Sequence, residues 1–188
     1  MSRFDGHIRD LGEIQPQAIS SLTGKLSESG HLWESDATKF STDLPAAQHI
    51  VFKFPDNYPD SHSPASYRAV WIEWEHLLAP IIATVVENLR LGALETSKIM
   101  FTRLNPGGTV PTHVDLNPSS AVPHKIHVPL MTHPKVIFRI EGSPYHLPVG
   151  RAYELNNLLP HSVENASDVA RVHFIFDCFP VNGSTANG

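Results

Sequence analysis

Apolar residues recur at steps of three and four along one long segment of the chain, residues 70–89. This period predicts an amphipathic helix with its apolar stripe facing a core. Pro64 lies near a plausible first turn of this helix, and Pro80 should kink the helix or split it in two. Trp71 and Trp74 fall on the apolar stripe, so we expect both to pack in the core rather than to bind a ligand.

The pattern before this helix is weaker. Pro16 opens a possible helix that Gly24 weakens, and the apolar, β-branched run at residues 46–54 predicts a strand that ends at Pro55. These elements predict a layer of helices and strands in the first half of the chain.

After Gly92 the chain changes to short β-type runs separated by Pro, Gly and Asn. Close spacing without an intervening helical period is typical of an antiparallel sandwich or jelly roll. We therefore expect a mainly β fold with the N-terminal helices packed on one sheet. The runs are SKIMFTRL, VPTHVD, HKIHVPLM, KVIFRI, RAYELNN and ARVHFIFDCF.

A length of 188 residues suits one globular domain with a core of its own. We expect a single domain over residues 1–180, with a helical and strand part at 1–95 and a β core at 96–180. Residues 181–188, which are small and polar, are expected to form a flexible tail.

Charge and cysteine content narrow the class of protein. With 14 basic and 19 acidic residues the net charge is −5, and no run of basic residues could neutralise many phosphates, so neither nucleic acid nor an anionic membrane surface is an expected partner. A single cysteine, Cys178, and a start without the apolar core of a signal peptide favour the cytoplasm. These features leave the oligomeric state open.

The chain contains 12 histidines, which makes metal chemistry worth considering. His113 and Asp115 lie two residues apart in a β-type run, so both side chains point to one face, roughly 6.6 Å apart along the strand. One His-x-acid pair of this kind is expected by chance, so this pair alone is a weak signal. His161 lies downstream, between two β-type runs.

The last β-type run places a charge where a barrel interior is expected. From Arg171 to Asp177, alternate residues share one face, whereas Val172, Phe174 and Phe176 share the other and should be buried against the helix. Arg171 then points into the barrel, where an unpaired guanidinium costs several kcal/mol. Either a carboxylate of the protein or a bound carboxylate must therefore meet it.

Two histidines and one carboxylate leave positions open on an octahedral ion, the arrangement of non-haem Fe(II) oxygenases. The same ligands could instead form the zinc site of a hydrolase, but the sequence has no H-E-x-x-H motif. Iron is preferred, and Arg171 would then anchor a dicarboxylate that chelates the iron at its other end.

Residues 100–180 resemble the aspartyl/asparaginyl β-hydroxylase family of Fe(II)/2-oxoglutarate dioxygenases. The resemblance rests on LNPGGTVPTHVD, HKIHVPL, GRAYELNNLLPHSVEN and RVHFIFD, in that order. It implies a double-stranded β-helix of the cupin-like jelly-roll type, Fe(II), 2-oxoglutarate as cosubstrate and O2. By position, His113 and His161 match the metal histidines of the family.

The resemblance also implies a cosubstrate site. Arg171 matches the arginine that binds the distal carboxylate of 2-oxoglutarate, and Thr102 falls where the family has a hydroxyl residue assisting it. Lys125 and His127 resemble the basic residue and the histidine that approach the carboxylate next to the keto group.

One departure bears on the substrate. The animal peptide hydroxylases of the family lack a carboxylate at the third ligand position, whereas this chain has Asp115, like members resembling bacterial proline hydroxylases. The resemblance thus implies hydroxylation of a C–H bond in a free amino acid or similar small molecule, with decarboxylation of 2-oxoglutarate to succinate. Two alternatives remain: a peptide or protein aspartyl/asparaginyl-type hydroxylase, and a non-catalytic cupin-like metal-binding module.

Overall fold

A computed structural model of the protein describes residues 4–35, 47–58, 60 and 63–181. The tail expected at 181–188 lies outside this part of the chain except for its first residue. The helices are α1 (Pro16–Glu28), α2 (Leu32–Ser35), α3 (Trp71–Leu89) and α4 (Pro118–Ala121). The strands are β1 (Ile8–Glu13), β2 (Ala47–Pro55), β3 (Ala65–Tyr67), β4 (Leu94–Leu104), β5 (Thr109–His113), β6 (His124–Met131), β7 (Val136–Ile140), β8 (Ser143–Tyr145), β9 (Arg151–Leu155), β10 (His161–Asn165) and β11 (Arg171–Pro180).

The strands form two antiparallel sheets. The larger has seven strands in the order β1-β9-β6-β11-β4-β2-β3, and the smaller has four in the order β5-β10-β7-β8. From β4 to β11 the chain alternates between the two sheets in the manner of a jelly roll, except that β7 and β8 pair as neighbours in the smaller sheet. The predicted double-stranded β-helix is confirmed.

The alternation along β11 explains how the helices attach. Val172, Phe174 and Phe176 are buried in one cluster with Trp74 of α3 and Leu22 of α1. The helical layer therefore covers the outer face of the larger sheet, as predicted, and Trp71 also belongs to this core. The opposite face of β11 is left to line the space between the two sheets.

The predicted start of the long helix is wrong. Helix α3 begins at Trp71, and Ala65–Tyr67 instead forms β3, which pairs with the edge of the larger sheet at Lys53–Pro55. Pairing with β2 gives this short segment the backbone partners that a first helical turn would otherwise supply. Pro80 lies inside α3 without splitting it: this position is exposed, so water can bind the carbonyl group that the missing N–H leaves free.

Candidate active site

Two histidines face each other across the smaller sheet. His113 is the last residue of β5 and His161 the first of β10, and they are paired in the antiparallel register with ring centroids 4.2 Å apart. His161 lies between the two predicted strands, β9 and β11, but it begins a further strand, β10, that the sequence did not predict. Strand β10 buries only Val163 and Asn165, too few positions for its hydrophobic pattern to reveal a strand.

Asp115, in the loop after β5, completes a group of three ligands. One ligand atom from each of His113, Asp115 and His161 lies within 4.8 Å of the others, and His113 Nε2 is 3.8 Å from Asp115 Oδ1. His113 Nδ1 donates to the Pro111 carbonyl at 2.8 Å, and His161 Nδ1 donates to the Leu159 carbonyl at 2.9 Å. With Nδ1 carrying the proton, each Nε2 keeps its lone pair for a metal.

The Asp115 carboxylate is held from behind. Its Oδ2 accepts a hydrogen bond from Asn157 Nδ2 at 2.8 Å and lies 3.3 Å from Lys125 Nζ. Burial alone would raise the pKa of Asp115, but Lys125 and the Asn157 hydrogen bond outweigh burial and lower the pKa. The carboxylate is therefore ionised, with Oδ1 directed to the histidines.

Arg171 is buried, with 4% of its surface exposed, and the hydrogen bonds it makes go to neutral groups. Nη1 donates to Thr102 Oγ1 at 3.1 Å, Nη2 donates to His173 Nδ1 at 2.8 Å, and Nε has no partner. None of the ion pairs found among the described residues involves Arg171. Burial lowers the pKa of its guanidinium to about 9, which reflects the cost of an unpaired charge at this depth.

A row of imidazoles lies beside this arginine. Because a guanidinium can only donate, His173 Nδ1 accepts from it, and His127 Nδ1 lies 3.2 Å from the same atom. Burial, and after it the charge of Arg171, holds the pKa of both histidines well below the ordinary value. Both are neutral.

Lys125 lies at the other end of the site, 3.4 Å from Asp177 Oδ1 as well as next to Asp115. Burial opposes its charge, yet the carboxylates of Asp177 and Asp115 raise its pKa above the ordinary value. It is therefore a charged lysine.

All seven residues predicted for the site line one cavity of about 200 Å³. Sequence reasoning did not assign three further residues that the structure brings to this site or its support: Lys98, Asn157 and Asp177. The alternation of β11 had already placed Asp177 on the inward face, though without a role, and that of β4 could have indicated Lys98. Nothing in the loop sequence indicates Asn157. The seven predicted residues are Thr102, His113, Asp115, Lys125, His127, His161 and Arg171.

The donor set fits an iron ion and a dicarboxylate. Two imidazole Nε2 atoms and one carboxylate oxygen converge at the mouth of a jelly roll, and a buried guanidinium without an acidic partner among the described residues lies in the same cavity. This combination defines the class of non-haem Fe(II) oxygenases that use a 2-oxo acid. The chain belongs to the aspartyl/asparaginyl β-hydroxylase family, whose family model matches residues 67–180. The predicted family and enzyme class are confirmed.

Solved structures show the same fold at low sequence identity. A 2OG-Fe(II) oxygenase family oxidoreductase from Burkholderia pseudomallei is 10% identical with a TM-score of 0.58, covering 87% of this chain and 83% of that one. A prolyl-4-hydroxylase from Pseudomonas putida is 11% identical with a TM-score of 0.58 and 94% of both chains covered. HygX from Streptomyces hygroscopicus, solved with nickel, 2-oxoglutarate and hygromycin B bound, is 13% identical with a TM-score of 0.58, covering 93% and 82%.

No curated protein matches the sequence significantly. Among the described residues, no helix has the length and apolar character needed to span a membrane.

Proposed function

We propose that this protein is an Fe(II)- and 2-oxoglutarate-dependent hydroxylase of a free amino acid or similar small molecule. The observation that carries the proposal is the buried Arg171, which lies in one cavity with the three metal-ligand candidates and lacks an acidic partner among the described residues. A buried cation of this kind needs an anion, and the distal carboxylate of a keto acid bound in the same cavity would supply it.

Each residue has a defined task in this proposal. Nε2 of His113, Nε2 of His161 and Oδ1 of Asp115 would hold the iron, which when bound supplies the oxygen chemistry that oxidises a C–H bond and decarboxylates 2-oxoglutarate to succinate. Arg171 and Thr102 would bind the distal carboxylate, since Thr102 already orients the guanidinium. His127 would face the carboxylate next to the keto group of the cosubstrate. Lys125 would face the same carboxylate with any N–H that its contacts to protein carboxylates leave free.

The small substrate is supported by the size of the site and by its third ligand. A cavity of about 200 Å³ can hold a keto acid together with a compact group, which fits an amino acid. Asp115 is the carboxylate ligand that the resemblance associates with hydroxylation of free amino acids. The neighbours of similar fold have unlike names and ligands, so they suggest no particular substrate.

The experiment is a succinate-release assay with Fe(II), 2-oxoglutarate, ascorbate and a panel of free amino acids, with His113→Ala as the inactive control. Substrate-dependent succinate, together with a product heavier by one oxygen atom, supports the proposal. Turnover only with peptides would instead support the peptide hydroxylase. Metal binding without consumption of 2-oxoglutarate under any condition would overturn both and leave the non-catalytic module.

A further inference from the structure

A closed ring of polar contacts surrounds the back of the Asp115 carboxylate. Starting from Oδ2 of Asp115, each member contacts the next, and the last returns to the same oxygen. Its members, which we call the Asp115 ring, are Asp115, Lys125, Asp177, Lys98, Ser120 and Asn157.

One half of the ring is ionic. Lys125 Nζ lies 3.3 Å from Asp115 Oδ2 and 3.4 Å from Asp177 Oδ1, and Lys98 Nζ lies 3.3 Å from Asp177 Oδ2. The four charges alternate in sign and cancel. Because Asp177 is 1% exposed and Lys98 is 5% exposed, their attraction is little screened by solvent.

The other half of the ring is made of hydrogen bonds that join Lys98 of β4, the short helix α4 and Asn157 of the loop after β9. Lys98 Nζ donates to Ser120 Oγ at 2.7 Å and to the Ser119 carbonyl at 3.0 Å. The two protons of Asn157 Nδ2 go to the Ser120 carbonyl at 2.9 Å and to Asp115 Oδ2 at 2.8 Å. Backbone contacts add to this, since Asp115 N donates to the Asn157 carbonyl at 3.1 Å.

The ring distinguishes the two oxygens of Asp115. Oδ2 receives Asn157 and Lys125, whereas Oδ1 faces His113 Nε2. Because the second oxygen already has two donors, the carboxylate can bind a metal through only one oxygen. A ligand that is fixed in one orientation also loses less conformational entropy when the metal binds. A single oxygen from Asp115 also leaves one more position on the metal for other ligands.

We propose that Lys125, Asn157 and Asp177 are positioning residues, which act through Asp115 to restrict it to one-oxygen coordination and to aim that oxygen at the metal. The inference rests on the proposed function only in taking His113, Asp115 and His161 as the metal ligands. It gives Lys125 a task besides the contact with the 2-oxoglutarate carboxylate expected from the resemblance, and the two tasks predict different measurements.

The first measurement is metal affinity without cosubstrate. Co(II) is titrated into metal-free wild-type protein and into Lys125→Met, Asn157→Ala and Asp177→Asn, with the visible absorption of the bound ion as the readout. Loss of groups that orient a metal ligand weakens metal binding about 10- to 100-fold. The Co(II) bands of Lys125→Met and Asn157→Ala should also shift, because Oδ2 loses one of its two donors and can then compete for the metal. Lys135→Met, which alters an exposed lysine outside the cavity, is the matched control and should keep wild-type affinity and bands.

The second measurement separates positioning from a general loss of structure. If Asp177 acts through Lys125, then Asp177→Asn should weaken Co(II) binding in the wild-type background but have little further effect in Lys125→Met. Additive losses would overturn the through-Lys125 route. Should Lys125→Met fail to fold, Asn157→Ala and Asp177→Asn decide the matter by the affinity and spectrum of their Co(II) complexes.

The third measurement separates positioning from direct cosubstrate binding. At saturating Co(II), a loss of 2-oxoglutarate affinity in Lys125→Met reports the direct contact, whereas the loss of Co(II) affinity and the shift of its bands report positioning. Unchanged Co(II) affinity and bands combined with a large loss of 2-oxoglutarate affinity would overturn the inference and favour direct contact. If wild-type protein itself binds no Co(II), the proposed function fails; if wild-type protein binds and the three variants match it, only this inference fails.

Discussion

Strand β11 carries a buried charge at each end of its inward face, and the two charges are treated differently. Arg171 at one end has hydrogen bonds to the neutral groups of Thr102 and His173. Asp177 at the other end lies between the ammonium groups of Lys98 and Lys125, at 3.3 and 3.4 Å. Both charges are at least 96% buried, since their exposed fractions are 4% and 1%.

The difference separates a binding group from a positioning group. At the Asp177 end the two ammonium groups balance the buried carboxylate within the protein, so its charge needs no ligand. At the Arg171 end the cost stays uncompensated among the described residues, and an incoming carboxylate would relieve it. An unbalanced buried charge thus indicates where a ligand binds, whereas a balanced cluster indicates what holds the site in shape.

The largest expected effect is on stability at the balanced end. Asp177→Ala leaves the buried Lys98 without its carboxylate and the half-buried Lys125 with Asp115 alone, and breaking a buried pair in this way costs about 3–5 kcal/mol of the free energy of unfolding. Urea denaturation of the metal-free protein measures it. Asp168→Ala, at an exposed position of the loop before β11, is the control and should change stability by at most about 0.5 kcal/mol. A loss below about 1 kcal/mol for Asp177→Ala would contradict the assignment of a balanced cluster.

A change at the unbalanced end should affect ligand affinity and not stability. Arg171→Met removes an uncompensated charge, so the metal-free protein should stay within about 1 kcal/mol of wild type in the same denaturation. Binding of 2-oxoglutarate should weaken by about 2–5 kcal/mol, because the ligand carboxylate would then be buried without its cation. Isothermal titration at saturating metal measures the affinity, with Arg139→Met, an exposed change on β7, as control. Wild-type affinity in Arg171→Met would refute the role of Arg171.

Only part of this contrast between the two ends of β11 could be predicted from the sequence. A period of two is local information, so the alternation of β11 correctly predicted Arg171 inward and Phe174 outward. Which groups oppose the inward charges depends on strand register. Lys98 of β4 lies opposite Asp177 in the register of β4 and β11, and a bulge in this pairing follows directly at Asp177/Cys178. Sequence spacing alone left open whether Arg171 meets a protein carboxylate or a ligand.

The candidate site was predictable to the same extent. Motif order along the chain identified His113, Asp115 and His161 through the family resemblance, and the cavity brings them together. Asn157 was missed because its hydrogen bond to Asp115 spans 42 residues and follows no period. The start of α3 was misplaced because pairing of β3 with β2 is a tertiary contact that overrides the local helical signal.

A smaller effect is expected one step behind Arg171. His173 Nδ1 accepts the Nη2 hydrogen bond and so holds the guanidinium toward the cavity. His173→Phe keeps a ring of similar shape against Phe138 but removes the acceptor. A hydrogen bond to a charged group contributes about 1.5–3 kcal/mol, so 2-oxoglutarate affinity should fall roughly 10- to 150-fold. The largest loss expected here is smaller than the largest loss expected for Arg171→Met. Titration with 2-oxoglutarate at saturating metal tests this, and metal affinity should remain unchanged. Equal affinity in the variant would mean that Thr102 alone orients Arg171.

The smallest effect is expected where water can replace the partner. On the outer edge between β1 and β9, Arg151 Nε donates to Asp10 Oδ2 at 2.8 Å, in a pair that is largely exposed. The Arg151 hydrogen bond lowers the pKa of Asp10 below its ordinary 3.8, so the pair stabilises the folded state above that pH and loses its contribution as the pH falls through the lowered pKa. Asp10→Asn should therefore be slightly less stable than wild type near neutral pH, by less than any change above, since exposed pairs are screened. The two proteins should converge in acid. Urea denaturation at neutral and at acid pH checks this. A difference in stability that persists in acid would show that the carboxylate charge is not its source. A large difference at neutral pH would contradict the view that only the buried charges of this fold contribute strongly to stability.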